Sequence, residues 1–160
     1  MIDLKTILVA TDLSKPAEAA LRYGIEFARR FGASLHVLHV VDDVAAHLPV
    51  PGAGADVTAL QKEMEDSARG ALEKLLPTSE RAALKAQVSI VVSVSPAHAI
   101  LDHARDHMMD LVIVGTHGRH GLSHFFLGSV AQQVSRLADC PVLTVRENER
   151  DFASPEPAQA

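Results

Sequence analysis

Cysteine occurs once in this chain, at Cys140, and tryptophan not at all; aromatic residues make up only 4%. A single thiol excludes an intrachain disulfide and fits a reducing compartment. So few aromatics argue against a stacking platform for single-stranded nucleic acid. Basic residues are also in deficit: 15 Lys and Arg face 20 Asp and Glu, for a net charge of -5. That balance is a poor match for a nucleic-acid backbone. Any anion the chain binds is expected to be held locally, by backbone N–H groups and one or two side chains. No apolar stretch approaches the roughly 20 residues of a membrane span, so no membrane insertion is expected. The opening segment MIDLKTILVATD has an acid and a base before a very short apolar run, unlike a signal peptide. The cytoplasm is therefore the expected location.

Several common site motifs are missing as well. There is no GxxxxGK[ST], so the chain is not a P-loop ATPase, and no GxGxxG follows the first apolar run. The GAG at Gly52 to Gly54 falls in a proline-bearing loop, away from any strand-to-helix junction. His103 and His107 are four apart but lack the glutamate of HExxH. No nucleophile elbow is present, since Ser129 lacks the GxSxG context.

What is present is an alternation of short apolar runs with amphipathic stretches. Ile7 to Ala10, Ser34 to Val41, Val88 to Val94, Leu111 to Val114 and Pro141 to Val145 read as strands. Between the first two, Ser14 and Pro16 start a helix, Ala20, Leu21, Gly24, Phe27, Ala28 and Phe31 form its buried face, and Gly32 ends it. A second helix carries Leu60, Met64, Ala68, Ala71, Leu72 and Leu75 and stops near Pro77. Ser95-Pro96 opens a third, with Ile100, Leu101 and Ala104 inward. Val130, Val134 and Leu137 mark a fourth. The loop DDVAAHLPVPGAGADVT has the length and the prolines and glycines of a lid or mobile insert. Residues 1–147 read as one domain, and the polar tail 148–160 as disordered. The order β-α-β-α-β-α-β-α-β predicts an α/β fold, an open parallel five-stranded sheet with helices on both faces. Ligands in such sheets bind beyond the carboxyl ends of the strands. That rule singles out ATDLS after the first strand and GTHGRHG after the fourth.

Gly115 and Gly118 follow the fourth strand, and Gly128-Ser129 opens the last helix. Glycine lets the backbone turn sharply or approach a ligand closely. A helix start offers unpaired N–H groups and the positive end of the dipole. The segment thus has the parts of a phosphate cradle. The same residues also serve a plain turn and helix cap, and taken alone they leave both readings open. Arg119 is a phosphate partner or a solvated loop cation.

The spacing G-x2-G-x9-G-S, from Gly115 through Gly118 to Gly128 and Ser129, resembles the ATP-binding signature of the universal stress protein family. GTHGRHGLSHFFLGSVAQQV followed by CPVLTV, ILVATDLS, LHVV and SPAHAILDHA are similar to that family's segments in the same order, so the resemblance runs from about Lys5 to Arg146. It implies a Rossmann-like, adenine nucleotide alpha hydrolase-like sheet ordered 3-2-1-4-5. ATP is expected across strands one and four, with Mg²⁺ on its phosphates and Asp12 near it. By matching positions, Ala10, Thr11 and Asp12 border adenine and ribose, and Val40 holds the base through its backbone. Val114 and Gly115 lie under ribose and phosphates, while Gly118, Gly128, Ser129 and Val130 contact the phosphates. The resemblance also implies a homodimer through the fifth strand and a regulatory partner protein it does not identify. Where many members carry glycines, this chain reads SVSP, and Ser93 and Ser95 are expected to tighten that loop.

Two functions are weighed on this basis, beside a third, a genuine ATP hydrolase or transferase that turnover well above background would reveal. One is an ATP-binding stress sensor or regulator with at most slow hydrolysis, since no general base is evident. The alternative is a nucleotide-independent dimeric interaction module. No metal site of side chains alone is expected: His117, His120 and His124 read as solvated or phosphate-facing, and His36 and His39 as structural. Cys140, just before Pro141, reads as an inert packed thiol.

Overall fold

The computed structural model describes residues 2–47, 55–116 and 128–146. In chain order these form β1 (Thr6–Thr11), α1 (Lys15–Phe31), β2 (Ser34–Val41), a 3-10 turn (Val44–His47), α2 (Ala55–Leu75), α3 (Thr78–Ala83), β3 (Gln87–Val92), α4 (Pro96–Asp106), β4 (Leu111–Gly115), α5 (Ser129–Leu137) and β5 (Val142–Val145). The strands make one parallel sheet ordered β3-β2-β1-β4-β5, as expected.

The continuous apolar runs follow from burial on both faces. Ile7, Val9, Leu35, Val37 and Ile113 point to one side, where Ala20, Leu21 and Tyr23 of α1 and Leu72 of α2 cover them. Leu8, Leu38, Val112 and Val114 point to the other, beneath Ala97, Ile100 and Ala104 of α4 and Ala131 and Val134 of α5. Removing each of these valine, leucine and isoleucine side chains from water stabilises the fold by roughly 1.5–3 kcal/mol. Gly24 sits where α1 presses hardest on the sheet: a Cβ built there would lie 2.2 Å from Cγ2 of Val9. Gly32 ends α1 at φ 66°, and its N–H donates to the Ala28 carbonyl. At the amino-terminal edge, Oδ2 of Asp110 accepts from the N–H groups of Lys5 and Thr6 at 2.7 and 2.9 Å, tying the start of β1 to that of β4. These bonds hold its carboxyl below the usual carboxylate range.

The structure departs from the sequence expectations at a few boundaries. α3 was not anticipated, because six residues carry too little periodicity to register. α2 begins at Ala55, five residues before the first apolar position assigned to it. β3 ends at Val92 rather than Val94, because Ser93 turns the chain: the Ser95 N–H donates to Oγ of Ser93 at 3.1 Å. The tail 148–160 and residues 48–54 of the expected lid lie outside the described residues, while the rest of that stretch includes the 3-10 turn and the first residues of α2.

Candidate functional site

A cleft of about 980 Å³ opens at the carboxyl edge of the sheet. Its floor is the ends of β1, β2 and β4: Ala10 and Thr11, Val40 and Val41, Val114 and Gly115. This is where the strand order reverses, since β1 leads to β2 on one side and is flanked by β4 on the other. Leu60, Met64, Ala68 and Ala71 of α2 form an apolar wall, and Pro96 and Ile100 of α4 border the cleft too. Gly128, Ser129, Val130 and Ala131 close it with the start of α5.

The corner after β1 is held stiffly. Leu13 sits at φ 64°, a left-handed conformation that costs a non-glycine residue roughly 1–2 kcal/mol. Side-chain bonds on both sides enforce it. The Leu13 N–H donates to Oγ1 of Thr11 at 3.1 Å, and the Ser14 N–H donates to Oδ1 of Asp12 at 3.1 Å. The Ser14 hydroxyl closes on the same carboxylate oxygen, so Ser14 orients Asp12 instead of capping α1 with its side chain. Across the sheet, Nδ1 of the buried His39 lies 2.8 Å from the Thr11 carbonyl. A carbonyl only accepts, so the proton of that bond sits on Nδ1.

The start of α5 supplies the opposite end. Gly128 is the N-cap, at φ -58° and ψ 149°, and its N–H donates to the Thr116 carbonyl at 2.7 Å. The amides of Ser129, Val130 and Ala131 follow in the first turn, where a helix has no internal acceptors for them. Among the described residues, no side chain caps that turn. The cleft therefore pairs an apolar body with a row of backbone donors at the positive end of a helix dipole.

Of the residues singled out from sequence, Ala10, Thr11, Asp12, Val40, Val114, Gly115, Gly128, Ser129 and Val130 all line this cleft. Gly118 and Arg119 lie outside the described residues, as do His117, His120 and His124. Ser93 and Ser95 do tighten the turn before α4, and Oγ of Ser95 lies 2.7 Å from Nδ1 of His98. Of that turn, Pro96 reaches the cleft lining. Sequence reasoning missed His39, Asp42, Glu63 and Thr116, which also border the cleft. It read Leu60, Met64 and Ala71 only as apolar positions of an amphipathic helix, without a place in a cleft. The usable signal was the width of the apolar arc on α2: Leu60, Met64, Ala68 and Ala71 lie beside Leu72 and Leu75, wider than one buried seam needs.

Two further groups were weighed. The half-buried Cys140 has its thiol pKa pushed up by burial and by Asp139 and Asp110, which agrees with the inert reading. His36, by contrast, meets His103 and His107. Nδ1 of His36 lies 3.3 Å from Nε2 of His103, and the rings of His103 and His107 stack with centroids 4.1 Å apart. Burial, then repulsion from His107 and His36, lowers the His103 pKa to about 4. Burial and His107 also lower that of His36.

Comparison with known proteins agrees with this architecture. The chain is 32% identical to a universal stress protein of Methanocaldococcus jannaschii over 148 residues, covering 92% of this chain and 85% of the relative. It superposes on the universal stress protein of Lactobacillus plantarum with a TM-score of 0.80 at 28% identity, covering 91% of this chain and all of that one. A universal stress protein of Archaeoglobus fulgidus solved in complex with dAMP shares the fold, with a TM-score of 0.54 at 24% identity over 91% of this chain and 99% of that one. The profile of the universal stress protein family matches residues 3–146, and with the parallel sheet and its cleft this places the chain in that family.

Proposed function

We propose that the protein binds ATP in the cleft at the carboxyl edge of the sheet and acts as a nucleotide-dependent sensor or regulator. The observation that carries this reading is the pairing of an apolar pocket with the uncapped first turn of α5. The donor set suits a polyphosphate: three backbone amides and the Ser129 hydroxyl at the dipole's positive end. Val40, Ile100, Met64 and Val114 offer the apolar surface that a purine needs. Asp12 would border the ribose and lie near a Mg²⁺ carried on the phosphates; that ion would neutralise charge between phosphate and carboxylate. Gly118 and Arg119, assigned from the sequence alone, belong to the same proposal. The dAMP complex of the Archaeoglobus relative supports an adenine nucleotide on this fold.

Binding with at most slow turnover belongs to the same reading. Nδ1 of His39 is held by the Thr11 carbonyl and Oδ1 of Asp12 by Ser14, so both side chains are fixed in place. Activation of an attacking water needs a base within hydrogen-bond reach, and protein-dependent phosphate release well above background would overturn this part of the reading. β5 lies at the sheet edge, and its outer N–H and C=O groups favour pairing with a second copy. A homodimer through this strand belongs to the same reading.

Calorimetric titration of Mg-ATP into nucleotide-stripped protein, with GTP in parallel, tests it. Saturable binding that favours the adenine nucleotide is expected. Heat no greater than dilution would return the fold to the alternative, an interaction module that works without nucleotide.

A further inference from the structure

We propose that His36, His103 and His107 form a binding site for a first-row divalent cation, Zn²⁺ foremost, at the end of the sheet remote from the nucleotide cleft. The three imidazoles supply three ligands, and a fourth position is left for water or an external donor.

One candidate nitrogen from each histidine can be chosen so that all three lie within 4.8 Å of one another. One pair already has the spacing a metal imposes. Two nitrogens at ~2.0–2.1 Å from a tetrahedral Zn²⁺ lie about 3.3–3.4 Å apart. The separation between Nδ1 of His36 and Nε2 of His103 is 3.3 Å.

His107 is prepared in a different way. Its Nδ1 lies 3.0 Å from the backbone carbonyl of His103, one turn earlier in α4. That carbonyl can only accept, so Nδ1 carries the proton and Nε2 keeps its lone pair. A backbone carbonyl on the remote ring nitrogen is the usual outer support of a metal-bound histidine. His103 and His107 are four apart, which sets them on one face of the chain as it leaves α4.

The supporting frame is rigid. His36 is buried in β2, paired in register with Leu8 and Gln87, which fixes the point from which its ring projects. The exposed His107 gives an ion a path from solvent. The carboxyl end of a helix attracts a cation, and Asp106 adds negative charge close enough to act on His103. Along β2 the cluster stands roughly 13 Å from Val40, so it shares no ligand with the cleft. It joins the opposite ends of two elements, β2 and α4, that also border the nucleotide site.

The bland alternative is a hydrogen bond between two rings with a third stacked upon them. Titration of ZnCl₂ into the untagged, chelator-treated full chain near neutral pH separates the two, with Co²⁺ as a spectroscopic probe. A single saturable Zn²⁺ site per chain is expected, with the visible d–d absorption of low-coordinate Co²⁺. His107→Gln, at an exposed position, and His103→Gln should each weaken binding by more than roughly tenfold. Replacing His117, His120 and His124 together by Gln should leave it unchanged. The proposal is overturned by absence of saturable binding, by affinity that survives both the His103 and the His107 substitution, or by binding that disappears with the triple variant.

Discussion

Proline in place of Ser129 separates the first backbone amide of α5 from everything else that helix does. Position 129 is the first helical residue, where proline's fixed φ suits the helix and its missing N–H has no helical partner to lose. The preceding residue must be extended, and Gly128 already is, at φ -58° and ψ 149°. Ser129 is exposed, so stability should change by no more than about 0.5 kcal/mol. The ligand loses more. A hydrogen bond to a charged group contributes roughly 1.5–3 kcal/mol, and each 1.4 kcal/mol is about a tenfold change in Kd. Removing the amide should therefore weaken Mg-ATP by about ten- to a hundredfold beyond what Ser129→Ala, which removes only the hydroxyl, produces. Calorimetry of both variants, beside urea unfolding, reads this directly. Adenosine, with no phosphate, should bind the two variants alike. If S129P and S129A bind Mg-ATP equally while both remain folded, the amides of α5 do not hold the phosphates and the reasoning is refuted.

Other consequences are as concrete. Gly24→Ala should cost about 1–2 kcal/mol in chemical denaturation: overpacking against the buried Val9 costs roughly 1–3 kcal/mol, and alanine's helix propensity offsets up to about 1. The same substitution should cost less in a Val9→Ala background, and equal costs would show that the close contact is not the cause. Asp110→Asn should destabilise at neutral pH, because the ionised carboxylate accepts from Lys5 and Thr6. Its folded pKa lies below the unfolded value of 3.8, so the difference between wild type and variant is fully present above 3.8 and shrinks as pH falls through the folded value. A gap that stays constant into acid would contradict this. Cys140 should react with a thiol reagent more slowly than free cysteine at mildly alkaline pH, since burial raises its pKa; equal rates would contradict the buried assignment.

Much of the scaffold could be read from local chemistry. The run Ile7 to Ala10 announced a strand covered on both sides, Gly32 announced a left-handed cap, and Ser95-Pro96 a helix start. Gly128-Ser129 located the start of α5 because helix caps are set by the residues that make them. What stayed illegible depends on register and on distance along the chain. The bond between His39 and Thr11 needs β2 aligned beside β1 before it exists. His36 and His103 are 67 residues apart, and neither hints at the other until α4 crosses the sheet. Glu63 borders the cleft because α2 lies along it, and Asp42 because β2 ends there. Periodicity showed that α2 was amphipathic but not that its apolar arc served two surfaces. The glycines were ambiguous alone; their spacing made them a candidate phosphate site by resemblance, and the structure brings Gly115 and Gly128 to one apolar cleft.

The most direct test of the central claim is an amide spectrum of ¹⁵N-labelled, nucleotide-free protein recorded through a titration with Mg-ATP. The account predicts that the amides of Ser129, Val130 and Ala131 shift downfield together as they gain charged acceptors, with Val40 and Gly115 responding at the same occupancy. Shifts confined to another surface, or a spectrum unmoved by saturating nucleotide, would contradict it.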